Sequence, residues 1–372
     1  MSYIGDFDNF SFRDNFCEFT GSDNASSAFA LMGRKTAGIF HSIAVACSDT
    51  DSEYLLCAFT AGASEGGADI FICNNTPLPA LKYASSVTGF ECSAFITGGK
   101  NPKISFFYGN GFPVPDLKMT AVMNCTPHKE SHSLGKISSA TGFSDIYTAF
   151  LLRSCKLAEP LPLKAGISCG NRHIRSLWLQ FFNDCDDTLI FQISDDGQKV
   201  NAYCTELGFV SYDRLVLAYA VMLWKKGQTV WLPECFHFSA EETARKNGYL
   251  LKKYNPLEEI PVEASSQRFL ADALYLCLSL APTKDSFISA LKDIPAFTSA
   301  RRELPASLGE NAPYNKSIVE KGGRIIISQS GNNRISLIAQ AYDTETASEL
   351  CAQWTEKVRK LSSCNNLFQR DR

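Results

Sequence analysis

The sequence predicts a multi-domain α/β protein that ends in a small α+β domain. Three observations predict it. The first third alternates short apolar runs with helical patterns in the order β, α, β, α. The middle repeats that alternation more loosely. The last part reads as two strands joined by a polar turn, followed by an amphipathic helix. A chain of 372 residues suggests two or more domains.

The elements follow in order. "SSAFALMGRKTAGIF" has helical spacing, with Phe29 and Met32 on one face and Ile39 and Phe40 further on. "HSIAVACSDTD" is a short buried strand with a turn. "SEYLLCAFTAGASEGG" is a helix that Gly66 and Gly67 stop. "ADIFICNN" is a strand, "TPLPALKYASSV" a helix started by proline, and "CSAFIT" a strand. "LKAGISCGN" reads as a strand, "RSLWLQFFND" as a helix and "DTLIFQISDDG" as a strand ending in an acidic turn. "SYDRLVLAYAVMLWKKG" is a strong helix with Asp213 near its start. "QTVWLPE" and "EETARKNGYLLKKY" repeat strand and helix, and "QRFLADALYLCLSLAP" is a very apolar helix. "GGRIIISQSGNNRISLIAQAYD" supplies Ile325, Ile326, Ile327, Ile335, Leu337 and Ile338 to two strands. "TETASELCAQWTEKVRKLSS" supplies Ala347, Leu350, Cys351, Trp354, Val358 and Leu361 at helical spacing.

Composition excludes several classes. At 45% hydrophobic and 20% charged the chain is ordinary soluble globular material. A net charge of −3 and no Lys/Arg stripe interleaved with aromatics argue against nucleic acid. No run reaches membrane-spanning length, and the acidic, polar start is not a signal peptide. The 14 cysteines are scattered and form no C-x-x-C pair, so reduced thiols packed as small hydrophobes in a cytoplasmic protein are expected. "HKESH" places His128 and His132 four apart, but Glu130 is not where an H-E-x-x-H metal helix needs its base.

One loop carries the functional question. The strand Ala94-Phe95-Ile96 runs into "TGGKNP", residues 97–102, placed as an active-site loop is placed at the end of a buried strand. Yet this loop has no Ser, Cys, His, Asp or Glu.

Landmarks in order over nearly the whole chain resemble the α-D-phosphohexomutase family, the phosphoglucomutases and phosphomannomutases. Thr97-Gly98-Gly99-Lys100-Asn101-Pro102 resembles the family's nucleophile loop T-A/G-S-H-N-P. "YGNGFPV" fits its Y-N-G segment, "SFRDN" its D-I-R-G start with Arg13 in the arginine position, "CSDTDS" its G-x-D-x-R-x-S loop and "TPLPAL" its T-P-T-P-A segment. Ser194-Asp195-Asp196-Gly197-Gln198-Lys199 looks like the metal loop D-G/A-D-G-D-R. Ser328-Gln329-Ser330-Gly331-Asn332-Asn333 looks like the phosphate loop R-P-S-G-T-E-P. The resemblance implies four domains around a cleft: 1–143 with the nucleophile loop, 144–226 with the metal loop, 227–297 reduced, and 298–372 with the phosphate loop. It also implies a Mg²⁺-assisted phosphoserine that exchanges phosphoryl groups with hexose phosphates.

The departures point the other way. Gly99 stands where the nucleophilic serine would be, and covalent catalysis needs that oxygen. Lys100 replaces the adjacent histidine. Of three metal-loop carboxylates only Asp196 clearly remains, beside Ser194 and Gln198, with Asp195 able to swing in; a hard cation needs anionic oxygens. Lys199 keeps the charge of the loop arginine but not its fork. The sugar-gripping G-E-x-S-G-H loop is missing from the stretch around "IPVEA", so the third domain is expected to be cut down. Ser328 and Ser336 stand where phosphate-gripping arginines would. An anion nest of Ser330, Gly331 and Asn332, helped by Arg334, is the expected remnant of phosphate binding. The expectation is a catalytically inactive homologue that binds a protein partner or a hexose phosphate, with no cofactor. The alternative is a divergent mutase with a non-standard nucleophile, using Asp195, Asp196 and Lys100, and Mg²⁺.

Overall fold

A computed structural model of the protein describes residues 10–13, 16–20, 24–115, 118–119, 133–157, 163–184, 188–255, 258, 260–261, 263–264, 267, 272–305, 315–320, 322–329 and 335–363. Two compact units emerge, one of residues 1–209 and 257–287, the other of residues 210–256 and 288–372.

The first unit is built on a seven-stranded mixed sheet. Its strands are β1 (Phe10–Arg13), β2 (Phe16–Phe19), β3 (Ser42–Cys47), β4 (Asp69–Ile72), β5 (Cys92–Thr97), β6 (Lys103–Tyr108) and β7 (Ile137–Ser139), in the order β1-β2-β6-β5-β3-β4-β7. β3, β4, β5 and β7 run parallel; β6, β2 and β1 join antiparallel at one side. Helices cover both faces, which is why β3 and β5 read as unbroken apolar runs. Ile43, Val45, Cys92, Ala94 and Ile96 face one core with α1 (Ala25–Ala37) and α2 (Glu53–Glu65). Ala44, Ala46 and Phe95 face the other, with α3 (Leu78–Thr88) and the start of α4 (Phe143–Ser154). The two helices of the first face nearly touch at Gly33 and Gly62: a Cβ there would stand 2.1 Å from Phe59 O and 1.8 Å from Ala30 O respectively.

A second, four-stranded sheet follows in the same unit. It comprises β9 (Gly166–Ser168), β11 (Leu189–Ile193), β12 (Val200–Cys204) and β13 (Gly208–Val210), in the order β13-β12-β11-β9. Short β8 (Leu163–Lys164) and β10 (Phe182–Asn183) pair beside it. "RSLWLQFFND" is helical only over α5 (Arg172–Trp178); Phe182 leaves the helix to pair with Leu163 and to pack against Trp178 and Phe191. The apolar helix α8 (Ala273–Leu280) is capped by Asp272, whose carboxylate accepts from Tyr275 N (3.0 Å) and from the Tyr147 hydroxyl (2.7 and 2.8 Å).

The second unit holds α6 (Tyr212–Lys225), the parallel pair β14 (Val230–Pro233) and β15 (Leu251–Tyr254), and α7 (Ser239–Asn247). Here the expected helix "EETARKNGYLLKKY" is corrected: Gly248, at φ 68°, ends it, and Leu251–Tyr254 are strand. The unit closes with an antiparallel sheet of β16 (Thr298–Leu304), β17 (Asn315–Glu320), β18 (Gly323–Gln329) and β19 (Ile335–Ala341), in the order β16-β19-β18-β17, followed by α9 (Thr344–Ser363). Ile325, Ile327, Ile335, Leu337 and Ala339 meet Leu350, Cys351 and Val358 of that helix. Ile326 and Ile338 point to the opposite face, as the pleat requires.

Candidate functional site

Loops at the C-terminal ends of parallel strands converge in the first unit, the usual place for a ligand in such sheets. Three are relevant: residues 48–52 after β3, 98–102 after β5, and 194–199 after β11.

The 98–102 loop presents backbone. Gly99 sits at φ +98°, with open space where a side chain would begin. An L residue rarely adopts that conformation. Lys100 is exposed. Gly98 is packed instead: a Cβ there would meet Ser52 Oγ at 2.7 Å and Asp49 Oδ1 at 3.5 Å. The 48–52 loop beneath it is a closed hydroxyl–carboxylate cluster. Ser48 Oγ donates to Asp49 Oδ2 and Ser52 Oγ to Asp49 Oδ1, both at 2.6 Å. Partial burial pushes the Asp49 carboxyl upward, but the bonds from Ser48 and Ser52 outweigh it and hold it below the usual range. In the sequence "CSDTDS" stands only as a likeness to the family's loop, and the cluster is not foreseen from it. The signal for it is the serine three residues after an aspartate at the start of a helix.

The 194–199 loop closes on itself. Asp196 Oδ1 accepts from Ser194 Oγ (2.6 Å) and Gln198 N (3.0 Å), and Oδ2 accepts from Gln198 Nε2 (3.2 Å). Ser194 Oγ also accepts from Lys199 N at 2.9 Å. Asp195 turns toward the backbone of Gly170, where an added Cβ would lie 2.7 Å from Oδ1. The family resemblance implies a divalent cation here, and the residues present do not fit one. Both Asp196 oxygens are committed, and among the described residues no three His, Cys, Asp or Glu side chains gather to hold a metal. Lys82 reaches this loop from α3, its Nζ 3.4 Å from Gln198 Oε1, and was not foreseen from sequence. Asn171, which caps α5, places Nδ2 3.5 Å from Ser48 O and so ties the β9–α5 turn to the 48–52 loop.

The predicted phosphate-binding residues Ser330, Gly331, Asn332 and Arg334 lie outside the described residues, as do His128, Glu130 and His132 and the Arg13 side chain. The strands on either side of 330–334 are paired, with Ser328 opposite Ser336. A cation that sequence reasoning missed stands there: Arg301 of β16 donates from Nε to Ser336 Oγ (3.1 Å). The described cysteines are all free thiols. Among the described residues no helix is long and apolar enough to cross a membrane.

No protein-family model matches the chain. A phosphoglucosamine mutase from Pseudomonas entomophila (strain L48) is 26% identical over 174 residues, 43% of this chain and 38% of that protein. Another from Caldicellulosiruptor saccharolyticus is 23% identical over 165 residues, 41% of this chain and 36% of that protein. The matched stretch thus spans well under half the length of these curated relatives. Solved structures share the fold over almost the full length. A phosphoglucomutase/phosphomannomutase family protein of Burkholderia thailandensis superposes with a TM-score of 0.65 at 12% identity, covering 94% of this chain and 96% of that one. Parafusin, a phosphoglucomutase of Paramecium in its open form, gives 0.53 at 12% identity, covering 93% and 92%.

Proposed function

The chain is a relative of the phosphohexomutases built on their multi-domain α/β fold, and from that premise we propose that it works by binding and not by catalysis. The observation that carries the proposal is Gly99: the residue at the tip of the nucleophile-like loop offers no atom that could hold a phosphoryl group, in a backbone conformation that disfavours one being restored. The self-bonded Asp196 turn supports it, because phosphoryl transfer depends on charge stabilisation that a committed carboxylate does not organise. On this reading a cytoplasmic protein retains the framework and acts as a regulatory or binding homologue, through a protein partner or a hexose phosphate. The test is a titration with glucose 1-phosphate, mannose 1-phosphate and glucosamine 6-phosphate in the presence of Mg²⁺. Calorimetry is to read binding and phosphorus NMR conversion. Binding of any of the three without isomer formation supports the proposal for a ligand-binding homologue. Isomer formation overturns it.

A second reading, a divergent mutase with a different nucleophile, draws on one observation. Ser52 Oγ is hydrogen-bonded to the Asp49 carboxylate and stands against Gly98, a hydroxyl and a base side by side next to the old nucleophile loop. Against it, Ser52 is fully buried.

A further inference from the structure

The 194–199 turn offers a divalent cation no fitting donor set, and what stands beside it comes from another element. The turn is seated on the first turns of α3. Gly197, at φ +72°, has no room for a side chain: an added Cβ would lie 3.3 Å from Pro79 Cγ of α3 and 2.7 Å from Ile174 Cδ1 of α5. Lys82 follows Pro79 by three residues, so the two lie on one face of α3. From that face Lys82 Nζ reaches Gln198 Oε1 at 3.4 Å. The ring of Phe107 on β6, itself buried, lies under the same ammonium, 5.0 Å from Nζ to its centroid, where the ring face attracts a cation.

The Gln198 amide is thereby held by charge at both ends. Its oxygen accepts from the ammonium, and its Nε2 donates to Asp196 Oδ2 at 3.2 Å. Turning the amide over would set its NH2 against the ammonium and its oxygen against the carboxylate, so the two charges decide which way it points. Ammonium, amide and carboxylate form one polarised chain. Asp196 closes it by accepting from Ser194 Oγ (2.6 Å) and Gln198 N (3.0 Å).

We propose that the Lys82 ammonium is the resident cation of the 194–199 turn, taking from α3 the structural place that the family resemblance gives to a divalent metal. The donor set suits it. A hard divalent ion needs six or more oxygens, several of them anionic. An ammonium carries one charge and three N–H donors. One carboxylate answers that charge, reached through an amide oxygen, and an aromatic face covers another side. The substitution is therefore of two kinds at once: Gln198 gives the turn a neutral oxygen that points outward, and Lys82 supplies the charge that oxygen receives.

Lys82 has a second charge partner, which the test must separate. Burial raises the carboxyl of Asp272, the cap of α8; the Tyr275 amide, the Tyr147 hydroxyl and the Lys82 ammonium pull it down without cancelling the rise. A loss on removing Lys82 could then arise at Asp272 or at Phe107 and not in the turn. Only the role in the turn depends on the charge of Asp196.

Hydrogen exchange of the full chain, read by mass spectrometry, follows the turn directly. The amides of Ser194, Gly197, Gln198 and Lys199 are all hydrogen-bonded within it. In K82M a peptide covering residues 193–200 is expected to lose about tenfold of its protection relative to β5, as removal of a charged hydrogen-bond partner implies. D196N keeps an acceptor for Ser194 and Gln198 but removes the charge. In that background K82M is expected to cost the same peptide about twofold or less, because the two residues act through one chain. If K82M does not fold, the NMR signal of the Lys82 ammonium in the otherwise unaltered chain decides, and it is expected to shift in Q198A. Equal losses on K82M with and without the Asp196 charge, no loss in either, or an ammonium signal unmoved by Q198A would overturn the proposal.

Discussion

Placing a serine at position 99 is the natural attempt to give this loop a nucleophile, and its cost follows from the backbone. Gly99 has φ +98°, and an added Cβ meets nothing within 4 Å. The penalty is therefore conformational and not a matter of packing. A non-glycine residue held there costs about 1–3 kcal/mol. At an m-value of about 3 kcal/mol/M, a loss of about 2 kcal/mol lowers the urea midpoint by about 0.7 M. Because the space is open, G99A and G99S are expected to cost the same. G99N is expected to cost less, since asparagine tolerates positive φ better than other side chains. The assay is urea denaturation of the three variants, with mutase turnover measured alongside. On the proposed non-catalytic reading no turnover is expected in G99S, because the parts of a catalytic unit do not act singly. Equal midpoints in all variants and the unaltered chain would show that the loop relaxes to an ordinary φ. Turnover in G99S would show that the rest of the site is intact.

Three other outcomes are expected. In G98A the new Cβ lies 2.7 Å from Ser52 Oγ, so thermal denaturation should show a loss of about 1–3 kcal/mol that the further change S52G partly relieves. Asp272 is buried and caps α8, so D272A should cost about 1–3 kcal/mol, and D272N, which keeps the acceptor for Tyr275 N, markedly less in the same measurement. D196A removes the acceptor of three bonds in the 194–199 turn and should cost about 1–2 kcal/mol, while adding or chelating Mg²⁺ should leave the melting temperature of the unaltered chain unchanged.

How much of this was readable from the sequence depends on where each element gets its stability. The strands Ser42–Cys47 and Cys92–Thr97 and the helices Glu53–Glu65 and Tyr212–Lys225 were plain, because burial on two faces or on one broad stripe leaves a continuous or periodic apolar signal. The helix expected over "EETARKNGYLLKKY" ran too far. The Leu-Leu pair after Gly248 continues a helical pattern, and only pairing with Val230–Pro233 makes Leu251–Tyr254 a strand. Phe182 likewise falls in a helical pattern that it leaves in order to join an aromatic cluster. At the candidate site the loop at Gly99 and the carboxylate at Asp196 stand out in the sequence, because the side chains a loop offers are visible residue by residue. The bonding that closes the Asp196 turn does not, nor does the approach of Lys82 from residues more than a hundred positions away.

The central claim is that no phosphoryl group passes through the Thr97–Pro102 loop or its surroundings. Intact-mass spectrometry of the full chain after incubation with glucose 1,6-bisphosphate and Mg²⁺ tests it most directly. The account predicts an unmodified mass under conditions in which an active phosphoglucomutase run in parallel becomes phosphorylated. A stable phosphoryl adduct on this chain, mapped by fragmentation to Ser52 or to any residue of the 48–52 or 98–102 loops, would contradict it.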